Sequence, residues 1–260
     1  MIKITLITCT YNAEKYIERT AESILNQQYR AIEHIIIDGA SHDNTVEMAQ
    51  NYRSKSDASN GGHEVIIISE RDNGLYDAMN KGINMATGDY LCFINAGDKL
   101  HDEHTIADIV NCIKDNGDKK DLPAVLYGDT DVVGENGQFL FRRRLTPPEH
   151  LTWKSFRQGM RVCHQAFYAR TDIARQTPYN LEYKYSADID WCIRVMKKAD
   201  EKHLTLLNTH ITVADHLQEG MSTINHKASL KERFRIMQKN YGLITTLIVH
   251  IWFAIRLIIK

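Results

Sequence analysis

Residues 69–99, SERDNGLYDAMNKGINMATGDYLCFINAGDK, constrain the fold more than any other stretch. An apolar run at residues 65–68 delivers the chain to Glu70, Arg71 and Asp72, and Asn73-Gly74 turns it into a helical pattern. Gly88-Asp89 opens a second apolar run, residues 90–94, which ends in Asn95-Ala96-Gly97-Asp98. Polar and acidic side chains therefore gather where two strands stop. In open α/β sheets that edge is where ligands bind. A carboxylate just past a buried strand suits a divalent cation holding a phosphate.

The N-terminal segment repeats the pattern. Residues 2–7 read as a strand, closed by Thr8-Cys9-Thr10-Tyr11-Asn12, and Asn12 is a cap candidate for a helix beginning near Ala13. Ile17, Ala21, Ile24 and Leu25 then recur at helical spacing. Residues 33–37 form the next strand, ending in Asp38-Gly39, and another helix follows, entered near Asp43. The order β-α-β-α-β-α-β predicts an α/β protein with a mostly parallel sheet and right-handed crossovers. Residues 54–62 and 116–122 read as polar loops, 124–129 as a further strand, and Glu135-Asn136-Gly137 as a hairpin.

A chain of 260 residues can bury a substantial core. The formal net charge of -1 gives no reason to expect nucleic acid. Five scattered cysteines without a CxxC spacing argue against a disulfide scaffold or zinc ribbon. Buried thiols in a reducing cytosol are the expectation. The short first apolar run breaks at Thr8 and does not read as a signal peptide.

The segments TCTYNAEKYI, SILNQQY, IIIDGASHDNT, ERDNGLYDAMNKGINMATGDYLCFINAGD and YSADIDWCIR resemble, in order, the motif series of family 2 glycosyltransferases. The resemblance covers roughly residues 2–194 and implies the GT-A fold. Residues 1–100 would form its nucleotide-sugar half and 101–225 its acceptor half. It also implies Mg²⁺ or Mn²⁺ held by Asp98, although the early acidic position of the usual pair is here amide or apolar, in Asn95-Ala96. Asp38 would read uracil, and Asp72 would approach the ribose or base. Thr8, Tyr11 and Asn12 follow strand one, where Tyr11 could stack on the base and Thr8 bond to it. Arg71 matches phosphate geometry; its alternative is a pair with Glu70 or Asp72. Asn80 and Lys81 could face the donor phosphates; for Lys81 the favoured alternative is a solvated side chain. Gly74 supplies a backbone conformation closed to other residues.

Inverting transfer needs a base for the acceptor hydroxyl. The resemblance places it in Tyr185–Trp191, where Ala187 stands at the position of the usual Glu and Asp188 at that of the base; positions two apart on a helix do not share a face, so only one of Asp188 and Asp190 would be catalytic, and Asp188 is favoured. His164, of the pair His164-Gln165, could bond sugar or acceptor. Residues 216–222 resemble a late glycine-serine loop that closes over the diphosphate, and His216 could complete the metal shell.

From residue 226 to 260 there are seven Lys/Arg against one acid, and residues 243–259 are strongly apolar. The segment is shorter than a comfortable membrane span of about 20 residues. An interfacial helix beside a basic one is the expectation, on a cytoplasmic enzyme held peripherally at the membrane's inner face; a helix packed on the enzyme or on a second subunit is the alternative. The whole predicts an inverting, metal-dependent transfer of a sugar from a nucleotide-sugar, a UDP-sugar by preference, to a saccharide or lipid-linked acceptor in surface polysaccharide synthesis. The rivals are a sugar nucleotidyltransferase, whose Gly-rich triphosphate loop is missing from TCTYNAEKY, and a non-catalytic sugar-nucleotide-binding protein.

Overall fold

The computed structural model describes residues 1–59, 63–116, 122–218 and 226–258. Residues 60–62 and 117–121 of the two expected loops lie outside the described residues, as do residues 219–222 of the glycine-serine loop.

Four strands build the N-terminal half: β1 (Ile4–Thr10), β2 (Ile32–Asp38), β3 (Glu64–Ser69) and β4 (Tyr90–Phe93). Between them run α1 (Ile17–Leu25), α2 (Thr45–Ala58) and α3 (Leu75–Met85). All four strands are parallel, in the spatial order β3-β2-β1-β4. The chain moves outward from β1 to β3 and then returns to β1's other side, so the topological switch lies between β1 and β4. A crevice opens at such a point, outside the carboxyl ends of the strands. All seven residues of β2 are buried, as expected for a strand covered on both faces.

The second half extends the sheet with β5 (Lys99–Leu100), β6 (Val125–Val133), β7 (Phe139–Arg142), β8 (Phe167–Arg170) and β9 (Leu206–Leu217). Among the described residues the order continues β4-β8-β6-β9-β5, with β7 on β6. Here β8 is antiparallel to both β4 and β6, whereas β6 and β9 are parallel. The remaining helices are α4 (Thr105–Asn116), α5 (Thr171–Arg175), α6 (Ala187–Glu201), α7 (His226–Tyr241) and α8 (Leu243–Ile258).

Several boundaries depart from the sequence reading. α1 starts at Ile17 rather than near Ala13, and its N-cap position is Tyr16. Asn12 is not the cap: it sits at φ 49°, and its Oδ1 accepts the His42 amide. α2 runs to Ala58, through residues read as loop. Its outward face is simply polar, while Ser56 turns inward and bonds to the His63 carbonyl. The hairpin at 135–137 forms as expected, closed by Gly134 N–H to Gln138 O. Tyr76, Met79 and Ile83, which recur at helical spacing, are buried in the core. The five cysteines are free, but only Cys92, Cys163 and Cys192 are buried; Cys9 and Cys112 are partly exposed.

Candidate active site

Register brings the first cluster together. Thr10 of β1 lies beside Asp38 of β2, which lies beside Ser69 of β3. Asp38 accepts from Thr10 Oγ1 at 3.0 Å, Ser69 Oγ at 2.7 Å, and both the hydroxyl and the amide of Ser41. Burial alone would raise its pKa; these hydrogen bonds outweigh burial and hold the carboxyl below the usual range. An ionised carboxylate offers about four acceptor positions. Four protein donors engage Asp38, which ties three strand ends together, so a base N–H would have to displace one of them.

Thr8 departs from expectation. It is fully buried, and its hydroxyl bonds His34 Nε2 at 3.0 Å, so it faces the interior rather than a ligand. His34 bonds Tyr52 OH through its other nitrogen, and burial pushes its pKa down to about 3.

Tyr11, Gly39 and Asp72 meet at the β1–β3 ends, the candidate nucleotide slot. Tyr11 is 62% exposed. Asp72 uses Oδ1 to accept the Gly74 amide at 2.8 Å, which leaves Oδ2 free among the described residues. A Cβ on Gly39 would lie 2.7 Å from that oxygen and 3.4 Å from the Tyr11 ring. Glycine is needed here for close approach. Gly74, at φ 112°, is needed for its conformation. The loops beneath the slot clasp each other: Asn12 N donates to Ser41 Oγ, Ala13 N to Thr45 Oγ1 and Glu14 N to Asp43 Oδ2. Asp43 also accepts the Thr45 amide, the helix-entry role its position suggested.

Arg71 is exposed and pairs with neither Glu70 nor Asp72. Lys81 takes Glu70 at 2.7 Å, leaving the Arg71 guanidinium without a partner among the described residues. Asn80 faces away from the site, clasping the backbone of Tyr179 with both ends of its amide.

The second cluster forms where β4, β9 and α6 meet. Asp98 is 2% exposed. Its Oδ2 accepts from Asn95 Nδ2 at 3.0 Å and Gln165 Nε2 at 2.6 Å; its Oδ1 accepts the Leu217 amide at 2.8 Å and lies 3.2 Å from His216 Nδ1. Burial raises its pKa, but the His216, Gln165 and Leu217 contacts prevail and keep it low. Gln165 appeared in the sequence only as His164's companion; its link to Asp98 joins segments 67 residues apart and left no local signal. His164 bridges outward, with Nε2 3.3 Å from Asn95 Oδ1 and Nδ1 3.5 Å from Asp188 Oδ2.

Asp188 and Asp190 separate as helix geometry predicts. Asp188 stays partly exposed beside His164. Asp190 is 1% exposed and pairs with Arg194 Nε at 2.6 Å, which leaves Asp188 the more accessible of the two expected candidates. Trp191 fixes the helix start, stacked on Tyr179 with ring centroids 5.0 Å apart and edge-on to Phe93 and Phe167.

Asp98 Oδ1 and His216 Nδ1 are this cluster's candidate cation ligands, although Gln165 Nε2 also lies 3.1 Å from that ring nitrogen. Octahedral bonds of about 2.1 Å put adjacent ligands roughly 3 Å apart, close to the 3.2 Å between Asp98 Oδ1 and His216 Nδ1. The other contacts of Asp98 are protein donors, so it can offer one oxygen only. Among the described residues, His101, Asp131 and Asp215 also bring ligand atoms within 4.8 Å of one another, but Lys99 Nζ already sits 2.9 Å from Asp215.

Known proteins decide the class. The Glycosyl transferase family 2 pattern matches residues 5–176. The chain belongs to that family. A PGL/p-HBAD biosynthesis glycosyltransferase of Mycobacterium bovis (strain BCG / Pasteur 1173P2) is 32% identical over 234 residues, covering 87% of this chain and 82% of that protein. The uncharacterized glycosyltransferase YibD of Escherichia coli (strain K12) is 27% identical over 261 residues, with 91% and 70% covered. The S. aureus TarS 1-349 structure with UDP-GlcNAc superposes with TM-score 0.70 at 18% identity, over 91% of this chain and 65% of that one. Mannosyltransferase PcManGT from Pyrobaculum calidifontis, with GDP-Man and Mn²⁺, gives 0.59 at 15%, over 98% and 64%. The family 2 chain thus spans slightly under two thirds of these solved structures. Its fold is GT-A and it is a glycosyltransferase of glycan or glycolipid synthesis, which removes the nucleotidyltransferase and non-catalytic alternatives.

Proposed function

We propose that this glycosyltransferase moves a hexosyl or N-acetylhexosaminyl group from a UDP-sugar, with inversion, to a hydroxyl of a saccharide or lipid-linked acceptor. The reading is carried by the line Asp188–His164–Asn95–Asp98 at the carboxyl edge of β4, across the switch point from the Tyr11–Gly39–Asp72 slot. Tyr11 flanks the base, Asp72 Oδ2 accepts from base or ribose, and the unpaired Arg71 takes a diphosphate oxygen. Asp188 accepts the acceptor proton while the hydroxyl oxygen attacks the anomeric carbon opposite the leaving group. The bond from that carbon to the diphosphate oxygen breaks, and the nucleoside diphosphate departs with the electron pair.

Asp98 and His216 would hold Mg²⁺ or Mn²⁺, and the ion, when bound, would offset charge on the leaving diphosphate. UDP and UDP-GlcNAc in TarS and Mn²⁺ in PcManGT support the donor and metal assignments by analogy of fold.

Thermal melts with UDP-, GDP- and dTDP-sugars, with and without Mn²⁺, test the reading, since a ligand that binds only the folded state raises Tm. UDP-sugars should stabilise most, and the best of them should be consumed when acceptor is added. Stabilisation by GDP- or dTDP-sugars alone would overturn the donor assignment.

A further inference from the structure

The last helix is built inside out. α8 turns Thr246 and His250 toward the protein: Thr246 is fully buried, and His250 packs on Phe234 of α7 with ring centroids 5.0 Å apart. Leu243, Ile244, Leu247, Ile248, Ile251 and Ile255 face outward, each at least 44% exposed. Their spacing of three and four residues gathers them on one side of the helix. A helix in water buries its apolar stripe and exposes its polar one. This one leaves an apolar side exposed while Thr246 is buried.

α7 supplies a second, independent feature. Lys227, Lys231, Arg235 and Lys239 recur at four-residue steps, all exposed and without a partner among the described residues. Like charges at that spacing repel one another and weaken a helix. The helix's one acid cannot relieve them, because Glu232 accepts the backbone amides of Lys184, Tyr185 and Ser186. Lys154 and Arg157 add charge at the root of α8, beside the stacked Trp153–Tyr241 pair.

We propose that α7 and α8 form a docking surface for an anionic lipid bilayer, with the apolar side of α8 in the interface and the α7 cations on the headgroups. Crossing is not the mode. No helix among the described residues is long and apolar enough to span, and sixteen residues reach about 24 Å, against a hydrocarbon core of about 30 Å. A second copy is the poorer occupant, because self-association would bring the same cations together. Lipid headgroups neutralise them, and an amphipathic helix with a basic flank binds bilayers in this way. The inference stands apart from the donor and acceptor assignments.

Vesicle flotation of the full chain tests it, using phosphatidylcholine alone and phosphatidylcholine mixed with phosphatidylglycerol. The chain should float with the mixed vesicles and release as salt rises. K231Q/R235Q should weaken binding roughly tenfold or more, and I248E/I251E should abolish it, both with unchanged circular dichroism. Sedimentation of the same proteins reads the rival occupant. A chain that ignores anionic vesicles overturns the proposal, whether it sediments as a monomer or as a dimer that I248E/I251E dissociates. Equal binding to both vesicle types, insensitive to K231Q/R235Q, overturns the role of charge.

Discussion

Asp188 Oδ2 lies 3.5 Å from His164 Nδ1, and the other nitrogen of that ring faces Asn95 in the loop that carries Asp98. One imidazole therefore spans from the proposed base to the proposed metal loop, two segments far apart in sequence. Asp188→Asn keeps the shape but cannot take a proton. Its kcat should fall by roughly two to four decades, the usual worth of general base catalysis, with donor KM nearly unchanged. Asp190→Asn should instead lower Tm, since it breaks the ion pair to Arg194 within the fold. Steady-state kinetics and melting curves on both variants separate these roles. An active Asp188→Asn beside a dead, stable Asp190→Asn would reverse the assignment.

Asp98 is a structural hub as well as a ligand candidate, which changes what its removal should do. The sequence places it in a loop, where truncation ought to be mild. In the fold it is buried and joins β4, the turn carrying Gln165 and the end of β9. Asp98→Ala leaves buried donors unpaired, each costing about 1–3 kcal/mol. A Tm lower by at least about 6 °C is expected, at about 2–4 °C per kcal/mol in a chain of this size. His216→Ala should spare most of that stability yet weaken Mn²⁺ binding measured by calorimetry. If Mn²⁺ binds His216→Ala as it binds the parent, the metal is held elsewhere.

The strand ends and the mostly parallel sheet were legible because they rest on local signals: apolar runs closed by polar turns. Tyr76, Met79 and Ile83 were legible for the same reason, as a helical period marks a buried face. The protein partners of Thr8, Asp38 and Asn80 were not legible, because the sequence alone does not display them. Thr8 meets His34, Asp38 meets Ser41 and Ser69, and Asn80 meets a backbone 99 residues away. The choice of Asp188 over Asp190 came from the family resemblance, with helix periodicity saying only that the two would not share a face; in the fold Asp188 is the more exposed of the two. The outward apolar side of α8 was half legible: composition marked an apolar helix, but only packing shows which side is left uncovered.

Acid should loosen the N-terminal sheet through Glu33. This carboxyl is fully buried in β2, where burial raises its pKa, but hydrogen bonds from Thr5, Thr87 and Lys3 prevail and hold it below its ordinary value. A group whose folded pKa is depressed contributes stability above its unfolded pKa and loses it as pH falls through the folded pKa. Denaturant midpoints should therefore fall from about pH 5 downward. Glu33→Gln should be less stable than the parent near neutrality, and the gap should narrow in acid. A gap that stays constant with pH would show that Glu33 is not the group responsible.

Gly39→Ala tests the nucleotide slot without touching the proposed base. The new methyl would meet Asp72 Oδ2 at 2.7 Å, so the carboxylate must swing aside. Donor KM and UDP affinity should worsen roughly tenfold, about 1.4 kcal/mol, while Tm moves little because Gly39 lies at the open end of β2. Unchanged UDP binding by calorimetry would place the base somewhere other than between Tyr11 and Asp72.

Glu232 ties the tail to the chemistry. From α7 it accepts Lys184 N at 2.8 Å, Tyr185 N at 2.8 Å and Ser186 N at 3.1 Å, the backbone just before Asp188. A carboxylate that gathers three amides fixes the entry to α6, and with it the height of Asp188 above the sheet. Glu232→Ala frees those amides to move. Because a misplacement of about 1 Å can cost on the order of a hundredfold in rate, kcat should fall by one to two decades, with donor KM little changed. Glu232→Gln keeps one acceptor oxygen and should recover part of the loss. A purely structural role predicts a different pattern: both variants would lose Tm in proportion to activity, and kcat per folded molecule would stay at the parent's value. Kinetics normalised to the folded fraction by active-site titration decide between the two.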